Sequence, residues 1–165
     1  MLQHSFNWKQ LSAIAGLSFW QFYFRFFPGA IHSEQIIEFL EQKRNFGLDI
    51  RLAHEAGQLL ETGGGLKQAA WFFNDGQPFL VHNVDILSNL DLRQMYDFHR
   101  QAAALATLAV SNRPSARAFL FNRELMLCGW QNTATGERKI TRPTLDADLR
   151  PLAFSGIQVI NPAIF

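Results

Sequence analysis

The spacing of apolar and polar residues changes character near residue 31. Residues 1–30 keep neither the helical period of about 3.6 residues nor the strand period of 2. From residue 31 onward, short apolar runs alternate with segments whose apolar positions recur every three or four residues. The chain is therefore predicted to consist of an atypical, aromatic-rich N-terminal segment, residues 1–30, and a folded domain, residues 31–165.

Within the folded domain the pattern predicts helices and strands in alternation. Ser33 is a suitable N-cap for a first helix, 33–45, which Asn45-Phe-Gly would end. The other helices are predicted at 66–74 and 91–103, and the strands at 48–52, 79–82, 106–111, 118–121, 124–130 and 152–160. Because strands alternate with helices, we predict an α/β fold with a mostly parallel sheet and helices on both faces.

Three local features accompany this alternation. Residues 118–130 read as an antiparallel hairpin that turns near Asn122-Arg123. Residues 131–150 are rich in polar side chains and are predicted to be an exposed excursion. Asp75-Gly-Gln-Pro has the composition of a turn.

The composition is that of a globular protein. Of the 165 residues, 48% are hydrophobic and 18% are charged, and the net charge is +1. No Lys/Arg cluster forms a stripe, so nucleic-acid binding has little support. The single cysteine, Cys128, excludes an internal disulfide and fits a reducing, cytoplasmic compartment. It lies in an apolar run and is interpreted as a buried filler rather than a nucleophile.

The aromatic-rich stretch 11–28 has some of the character of a membrane segment. A spanning helix needs about 20 mostly apolar residues. This stretch contains Gln21 and Arg25 and stops at Pro28-Gly29. Membrane insertion is therefore not favoured, although attachment through residues 11–28 stays an alternative.

The three consecutive glycines Gly63, Gly64 and Gly65 are the first candidate for chemistry. Glycines at the start of a helix let a ligand approach the backbone, and backbone N–H groups there attract anions. A nucleotide cradle is the functional interpretation, and a tight turn is the structural one. The spacing matches neither a P-loop nor a dinucleotide fingerprint, so the glycines alone favour the turn.

The strand end Asn83-Val-Asp85 is the second candidate. A carboxylate after an apolar strand is expensive to bury without a partner, and it can hold a divalent metal such as Mg²⁺. Alternatively, Asp85 caps the next turn through the amides of Ser88 or Asn89. Local evidence leaves both interpretations open. The side-chain amide of Asn83 could meet a ligand hydroxyl.

Three further positions are weaker candidates. Lys67 could reach a phosphate, although a solvated lysine is the commoner situation. His82 lies on the strand before Asn83, and a lone strand histidine is more often structural than catalytic. Gly156 interrupts an apolar strand, which indicates a bulge or the close approach of a ligand.

Three segments in this order resemble the sugar-phosphate nucleotidyltransferases, also called NDP-sugar pyrophosphorylases. They are Glu61-Thr-Gly-Gly-Gly-Leu-Lys-Gln-Ala-Ala, Phe79-Leu-Val-His-Asn-Val-Asp and Phe154-Ser-Gly-Ile-Gln-Val-Ile-Asn-Pro-Ala-Ile-Phe. The most similar branch resembles the N-acetylmuramate-1-phosphate uridylyltransferases and the mannose-1-phosphate guanylyltransferase-like bacterial proteins. The resemblance runs from about residue 31 to residue 165.

The resemblance implies a nucleotidyltransferase Rossmann-like fold and the transfer of a nucleotide from an NTP, UTP or GTP, to a sugar 1-phosphate, with release of pyrophosphate. Carried over by position, Gly63, Gly64 and Gly65 would contact the nucleobase and its ribose. Asn83 and Gly156 would contact the sugar. Asp85 would bind the Mg²⁺ cofactor.

The chain also departs from the family pattern. Residues 1–30 lack the G-x-G-T-R-x-x-P loop that grips the triphosphate, and the chain stops at Phe165, before the W-x-D-V-G segment with its second metal ligand. An acidic residue that some relatives carry near Ala118 is absent. Residues 31–165 are therefore predicted to be a partial domain, incomplete at both ends. A non-catalytic remnant is the alternative to an active enzyme, and an uncovered sheet edge would favour self-association.

Overall fold

The computed structural model describes residues 22–26, 33–54, 62–83, 86–141 and 149–165. The chain divides into two compact units. The first contains residues 1–77 with 161–165, and the second contains residues 78–160.

The first unit holds a two-stranded parallel sheet and two helices. Its described elements are β1 (Phe22–Phe26), α1 (Ser33–Gln42), β2 (Ile50–His54), α2 (Thr62–Gln68) and two short 3-10 helices, Ala70–Phe72 and Pro162–Ile164. β1 pairs with β2 from Phe22 opposite Ile50 to Phe26 opposite His54. The order strand, helix, parallel strand is that of a βαβ unit. Part of the aromatic-rich segment is therefore a strand.

Element boundaries in this unit differ from the prediction in two places. α1 ends at Gln42, and residues 44–47 form a turn in which Arg44, Asn45, Phe46 and Gly47 all have positive φ. α2 begins at Thr62, so the three glycines lie inside the helix rather than in a loop before it. The predicted turn at Asp75 is confirmed, because the Gln77 N–H donates to Asp75 Oδ1 over 2.9 Å.

The second unit is a six-stranded sheet with one described α-helix. Its elements are β3 (Phe79–His82), α3 (Leu92–Ala102), β4 (Ala106–Ser111), β5 (Arg117–Phe121), β6 (Leu127–Asn132), β7 (Arg138–Ile140) and β8 (Arg150–Ile160). The strand order is β3-β8-β5-β6-β7, and β4 also pairs with β8. β7 lies in the stretch that was predicted to be an exposed excursion.

Every pairing in this sheet is antiparallel, so the prediction of a mostly parallel sheet with helices on both faces is wrong. β3 and β4 do run in the same direction, because both are antiparallel to β8. However, β8 lies between them: Ile160 is opposite Phe79 on one side and Ala106 on the other. The eleven residues of β8 are enough to pair with β3 and β4 along one half and with β5 along the other.

The core of the second unit lies between α3 and the middle of the sheet. Met95 of α3 packs with Ile157 and Val159 of β8. Asp91 caps α3, since its side chain accepts from the Gln94 N–H over 3.0 Å. Cys128 is fully buried, which confirms its interpretation as a filler.

Within the described part of the chain, no helix combines the length and the apolar character needed to cross a membrane. Of the stretch 11–28, only residues 22–26 are described, and they form β1. The remainder of that stretch lies outside the described residues.

Candidate functional site

Gly156 occupies a bulge in β8 where only a glycine fits. Its φ is +73°, in the left-handed region. The pairing with β4 shifts here, because Leu108 is opposite Gln158 while Val110 is opposite Phe154. A Cβ on Gly156 would lie 2.7 Å from Ile86 Cγ1 and 3.2 Å from Asn83 Nδ2. The predicted bulge is confirmed, and the groups that approach closely are the side chains of this chain's own Ile86 and Asn83.

Asn83 is held by its backbone while its side chain is exposed. It follows β3 directly, and its N–H donates to the Gly156 carbonyl over 2.9 Å. Its own carbonyl accepts from the Ile86 N–H over 3.2 Å. These bonds clamp the main chain, so the exposed amide projects from a defined position. The structure thus brings together Asn83 and Gly156, two residues that the sequence placed 73 positions apart.

His82 adds a third hydrogen bond at the backbone of Asn83. Its Nδ1 lies 2.7 Å from the Asn83 carbonyl. A carbonyl only accepts, so Nδ1 is the donor in this bond. Nε2 is buried and has no hydrogen-bond partner among the described residues. His82 therefore supports the backbone of Asn83, which agrees with its interpretation as a structural histidine.

Arg113 is a residue of this region that sequence reasoning missed. It lies just after β4, and its Nη2 donates to the Phe154 carbonyl over 3.1 Å. Phe154 is two residues before Gly156 in the same strand. The Ser115 hydroxyl orders the turn that follows, because it donates to the Arg117 carbonyl over 2.6 Å. The sequence signal that could have identified Arg113 is its position, because it follows the end of a strand, as Asn83 does.

The glycines Gly63, Gly64 and Gly65 belong to the first unit. They form the first part of α2, with Gly63 exposed and Gly65 buried. Among the described residues, apart from the chain neighbours and the backbone of α2 itself, no atom lies within 4 Å of a Cβ placed on Gly63, so this packing does not require a glycine there. Lys67, on the same helix, is exposed. Asn83 and Gly156 belong to the second unit.

The candidate metal ligand Asp85 lies outside the described residues. Among the residues that are described, no three histidine, cysteine, aspartate or glutamate side chains gather as they would around a metal ion. The Mg²⁺ site therefore stays a prediction that rests on the carboxylate chemistry of Asp85.

His99 is the buried titratable group of the second unit whose pKa departs from its ordinary value. It is 1% exposed, and its Nδ1 lies 2.9 Å from Thr107 Oγ1. Burial lowers the pKa of His99, because the charged ring would lose its hydration. Its position on the buried face of α3 makes it a core residue rather than part of the Asn83 and Gly156 junction.

Two open depressions occur elsewhere on the described surface of the second unit. One, of about 500 Å³, follows the exposed face of α3 from Asp91 to Gln101. The other, of about 340 Å³, lies beside Trp130, where Lys139 Nζ is 6.0 Å from the ring centroid. Neither depression is lined by Asn83 or Gly156.

Comparison with known proteins identifies a matching family model and solved structures with a similar fold. A family model described as nucleotidyl transferase matches residues 30–119, which is more than half of the chain. The structure is similar to a protein assigned as a glucose-1-phosphate thymidylyltransferase from Bacillus anthracis, solved in complex with sucrose. The TM-score is 0.60 and the identity is 13%, over 85% of this chain and 52% of that one.

A second solved structure, an apo UDP-glucose pyrophosphorylase, is similar with a TM-score of 0.52 and 14% identity, over 87% of this chain and 61% of that one. At such identities the likeness concerns the fold alone. The chain spans about half of the length of the first of these proteins and about three fifths of the second.

Proposed function

We propose, since this chain belongs to the nucleotidyl transferase family, that it transfers a nucleotide from an NTP to a sugar 1-phosphate. An oxygen of the sugar phosphate attacks the α-phosphorus in line. The bond from that phosphorus to the leaving pyrophosphate breaks, and an NDP-sugar and pyrophosphate result. Such a reaction depends mainly on positioning and on offsetting phosphate charge.

The observation that supports this proposal most directly is the clamped junction between Asn83 and Gly156. A binding site is precise when the main chain that carries its polar groups is held in place. At this junction the backbone of Asn83 is fixed by the Gly156 carbonyl, and its amide is exposed. An amide held in this way can bond a sugar hydroxyl as donor and acceptor.

The roles of the other candidate residues are proposed from their positions in the family motifs. Gly63, Gly64 and Gly65 would contact the nucleobase and ribose through their backbone, because a side chain at these positions would obstruct the approach. Asp85 would hold Mg²⁺, which offsets the negative charge of the phosphates. UTP and GTP are the candidate nucleotides, and we place the reaction in the cytoplasm.

The test is a thermal-shift titration of the full chain with UTP, GTP, CTP, ATP and dTTP, each with and without Mg²⁺. A ligand that binds only the folded state raises the melting temperature by mass action. We expect a Mg²⁺-dependent rise with one nucleotide, and pyrophosphate release when that nucleotide is mixed with sugar 1-phosphates. Asp85→Asn should abolish the Mg²⁺ dependence, whereas Asp75→Asn, in a turn of the first unit, should retain it.

The proposal would be contradicted if the protein melts cooperatively, no nucleotide changes its melting temperature, and no pyrophosphate is released. That result would favour the non-catalytic alternative, in which the fold persists without its activity.

A further inference from the structure

We propose that Arg113 binds the phosphate group of the sugar phosphate, at the same end of the sheet where Asn83 would meet the sugar. This inference rests on the proposed function and deepens it by naming a side chain for the phosphate. Asn83, Arg113 and Gly156 all belong to the second unit.

The sheet topology brings Asn83 and Arg113 to one end of the sheet. β3 and β4 run in the same direction on either side of β8, so their C-terminal ends lie at the same end. Asn83 follows β3 immediately, and Arg113 follows β4 after one intervening residue. The two residues therefore lie at the same end of the sheet, on either side of β8.

The spacing suits a sugar that carries a phosphate. Adjacent strands lie about 4.8 Å apart, so β3 and β4 are separated by roughly 10 Å across β8. Between them lies the stretch from Phe154 to Gly156. The Asn83 backbone N–H donates to the Gly156 carbonyl, and the Asn83 side-chain Nδ2 lies 3.2 Å from the position of a Cβ on Gly156. The Arg113 guanidinium donates to the Phe154 carbonyl, so both side chains border the bulge. A monosaccharide phosphate is long enough to reach from one to the other.

The chemistry of Arg113 suits an anion. The guanidinium has five N–H donors, and the bond to the Phe154 carbonyl uses one of them. The side chain is exposed, and within the described ranges no carboxylate forms an ion pair with it. The bond to Phe154 also holds the guanidinium in place. A pre-positioned guanidinium loses less freedom when it binds a phosphate through two parallel N–H bonds.

The triphosphate of the NTP offers the same chemistry as the sugar phosphate. The position of Arg113 near Gly156, the glycine that the family resemblance assigns to the sugar, favours the sugar phosphate. The experiment therefore measures both ligands.

The test compares wild-type protein with Arg113→Gln, which removes the charge but keeps an N–H donor for the Phe154 carbonyl. The control is Arg100→Gln, which removes an exposed arginine at the C-terminal end of α3, near the start of β4 and thus at the other end of the sheet. Binding is measured by calorimetry with glucose 1-phosphate, mannose 1-phosphate, N-acetylglucosamine 1-phosphate, the free sugars, inorganic phosphate, and UTP or GTP with Mg²⁺.

We expect Arg113→Gln to weaken binding of the preferred sugar 1-phosphate by about 10- to 100-fold, the range expected when a charge-assisted bond is lost. Binding of the NTP, the melting temperature and all properties of Arg100→Gln should stay close to those of the wild type. Arg113→Lys, which keeps the charge without the planar fork, should fall between the two.

Three outcomes would overturn the inference. Unchanged sugar-phosphate binding in Arg113→Gln would show that Arg113 does not bind the phosphate. If a further variant, Asn83→Ala, loses sugar-phosphate binding in the same measurement, the proposed function stands without a role for Arg113. A loss of NTP binding instead would assign Arg113 to the triphosphate. A wild-type chain that binds no sugar phosphate would contradict both the inference and the sugar half of the proposed function.

Discussion

At the scale of single residues, Gly156 carries two independent constraints that can be separated by substitution. Its φ of +73° disfavours any side chain, and a Cβ would also lie 2.7 Å from Ile86 Cγ1. Gly76 has the same φ, and among the described residues no atom other than those of its chain neighbours lies within 4 Å of its Cβ position. The pair therefore distinguishes backbone strain from steric crowding.

We expect Gly76→Ala to lower the free energy of unfolding by about 1 kcal/mol, the usual cost of the left-handed region. Gly156→Ala should lower it by roughly 2–4 kcal/mol, because crowding adds to the strain. Denaturant unfolding of the two variants and the wild type gives both values. Equal losses in the two variants would mean that Ile86 moves aside without cost.

His99 gives a pH dependence whose sign can be stated. Its pKa is lowered from the ordinary value of 6.5 by burial, so below pH 6.5 the unfolded chain binds the proton more readily than the folded chain. Stability is therefore complete above pH 6.5 and is lost as the pH falls toward the lowered pKa of the folded state. His99→Gln removes this contribution.

The measurement is the free energy of unfolding of the wild type and His99→Gln between pH 5 and pH 8. The difference between the two proteins should be constant above pH 6.5, and the advantage of the wild type should shrink below it. A difference that is constant over the whole range would show that His99 keeps the same protonation in both states.

At the scale of elements, α2 is a helix whose sequence opposes its own stability. Glycine in a helix costs about 1 kcal/mol relative to alanine, and α2 contains three. Gly63 is exposed, with open space around its Cβ position. Packing therefore gives no reason for a glycine at this position, whereas the close approach of a nucleotide to the backbone would give one.

Gly63→Ala should raise the free energy of unfolding by roughly 0.5–1 kcal/mol and weaken nucleotide binding. Unfolding and NTP titration of the same preparation test both effects. Gln68→Ala, at the exposed end of the same helix, is the matched control and should leave nucleotide binding unchanged. A Gly63→Ala variant that is more stable and binds NTP normally would exclude Gly63 from the nucleotide site.

The same helix shows why element boundaries were harder to predict than the elements themselves. The prediction began the helix at Leu66, because glycine is a poor helix former, and the structure begins it at Thr62. β7 was missed because three exposed residues, Arg138–Ile140, carry no apolar alternation. It is a strand because its backbone pairs with β6, from Gln131 opposite Arg138 to Gly129 opposite Ile140.

At the scale of the whole molecule, the local sequence pattern indicated the relative direction of two strands but not which strand lies between them. The sequence of strand, helix and strand over 79–111 correctly implied that β3 and β4 run the same way. It could not show that β8, which begins about forty residues after β4 ends, enters between them. For this reason the predicted parallel sheet is antiparallel in the second unit, while β1 and β2 in the first unit are parallel.

The sequence by itself determined the features that depend on a few neighbouring residues. These include the apolar strand Phe79–His82, the amphipathic helix with Met95 and His99 on its buried face, the Asp75 turn and the bulge at Gly156. Each arises from local backbone preferences or from the period of apolar side chains. The family motifs could be recognised in the sequence because each of them is also a short contiguous segment.

Only the tertiary structure decided what lies beside Gly156. The contacts of Gly156 with Asn83 and of Phe154 with Arg113 join residues far apart in the chain, 41 positions in the second case. Such contacts depend on which strand lies between β3 and β4, and no local preference encodes that choice. Because the candidate sugar site is made of these contacts, Arg113 became visible as a part of it only in the folded chain.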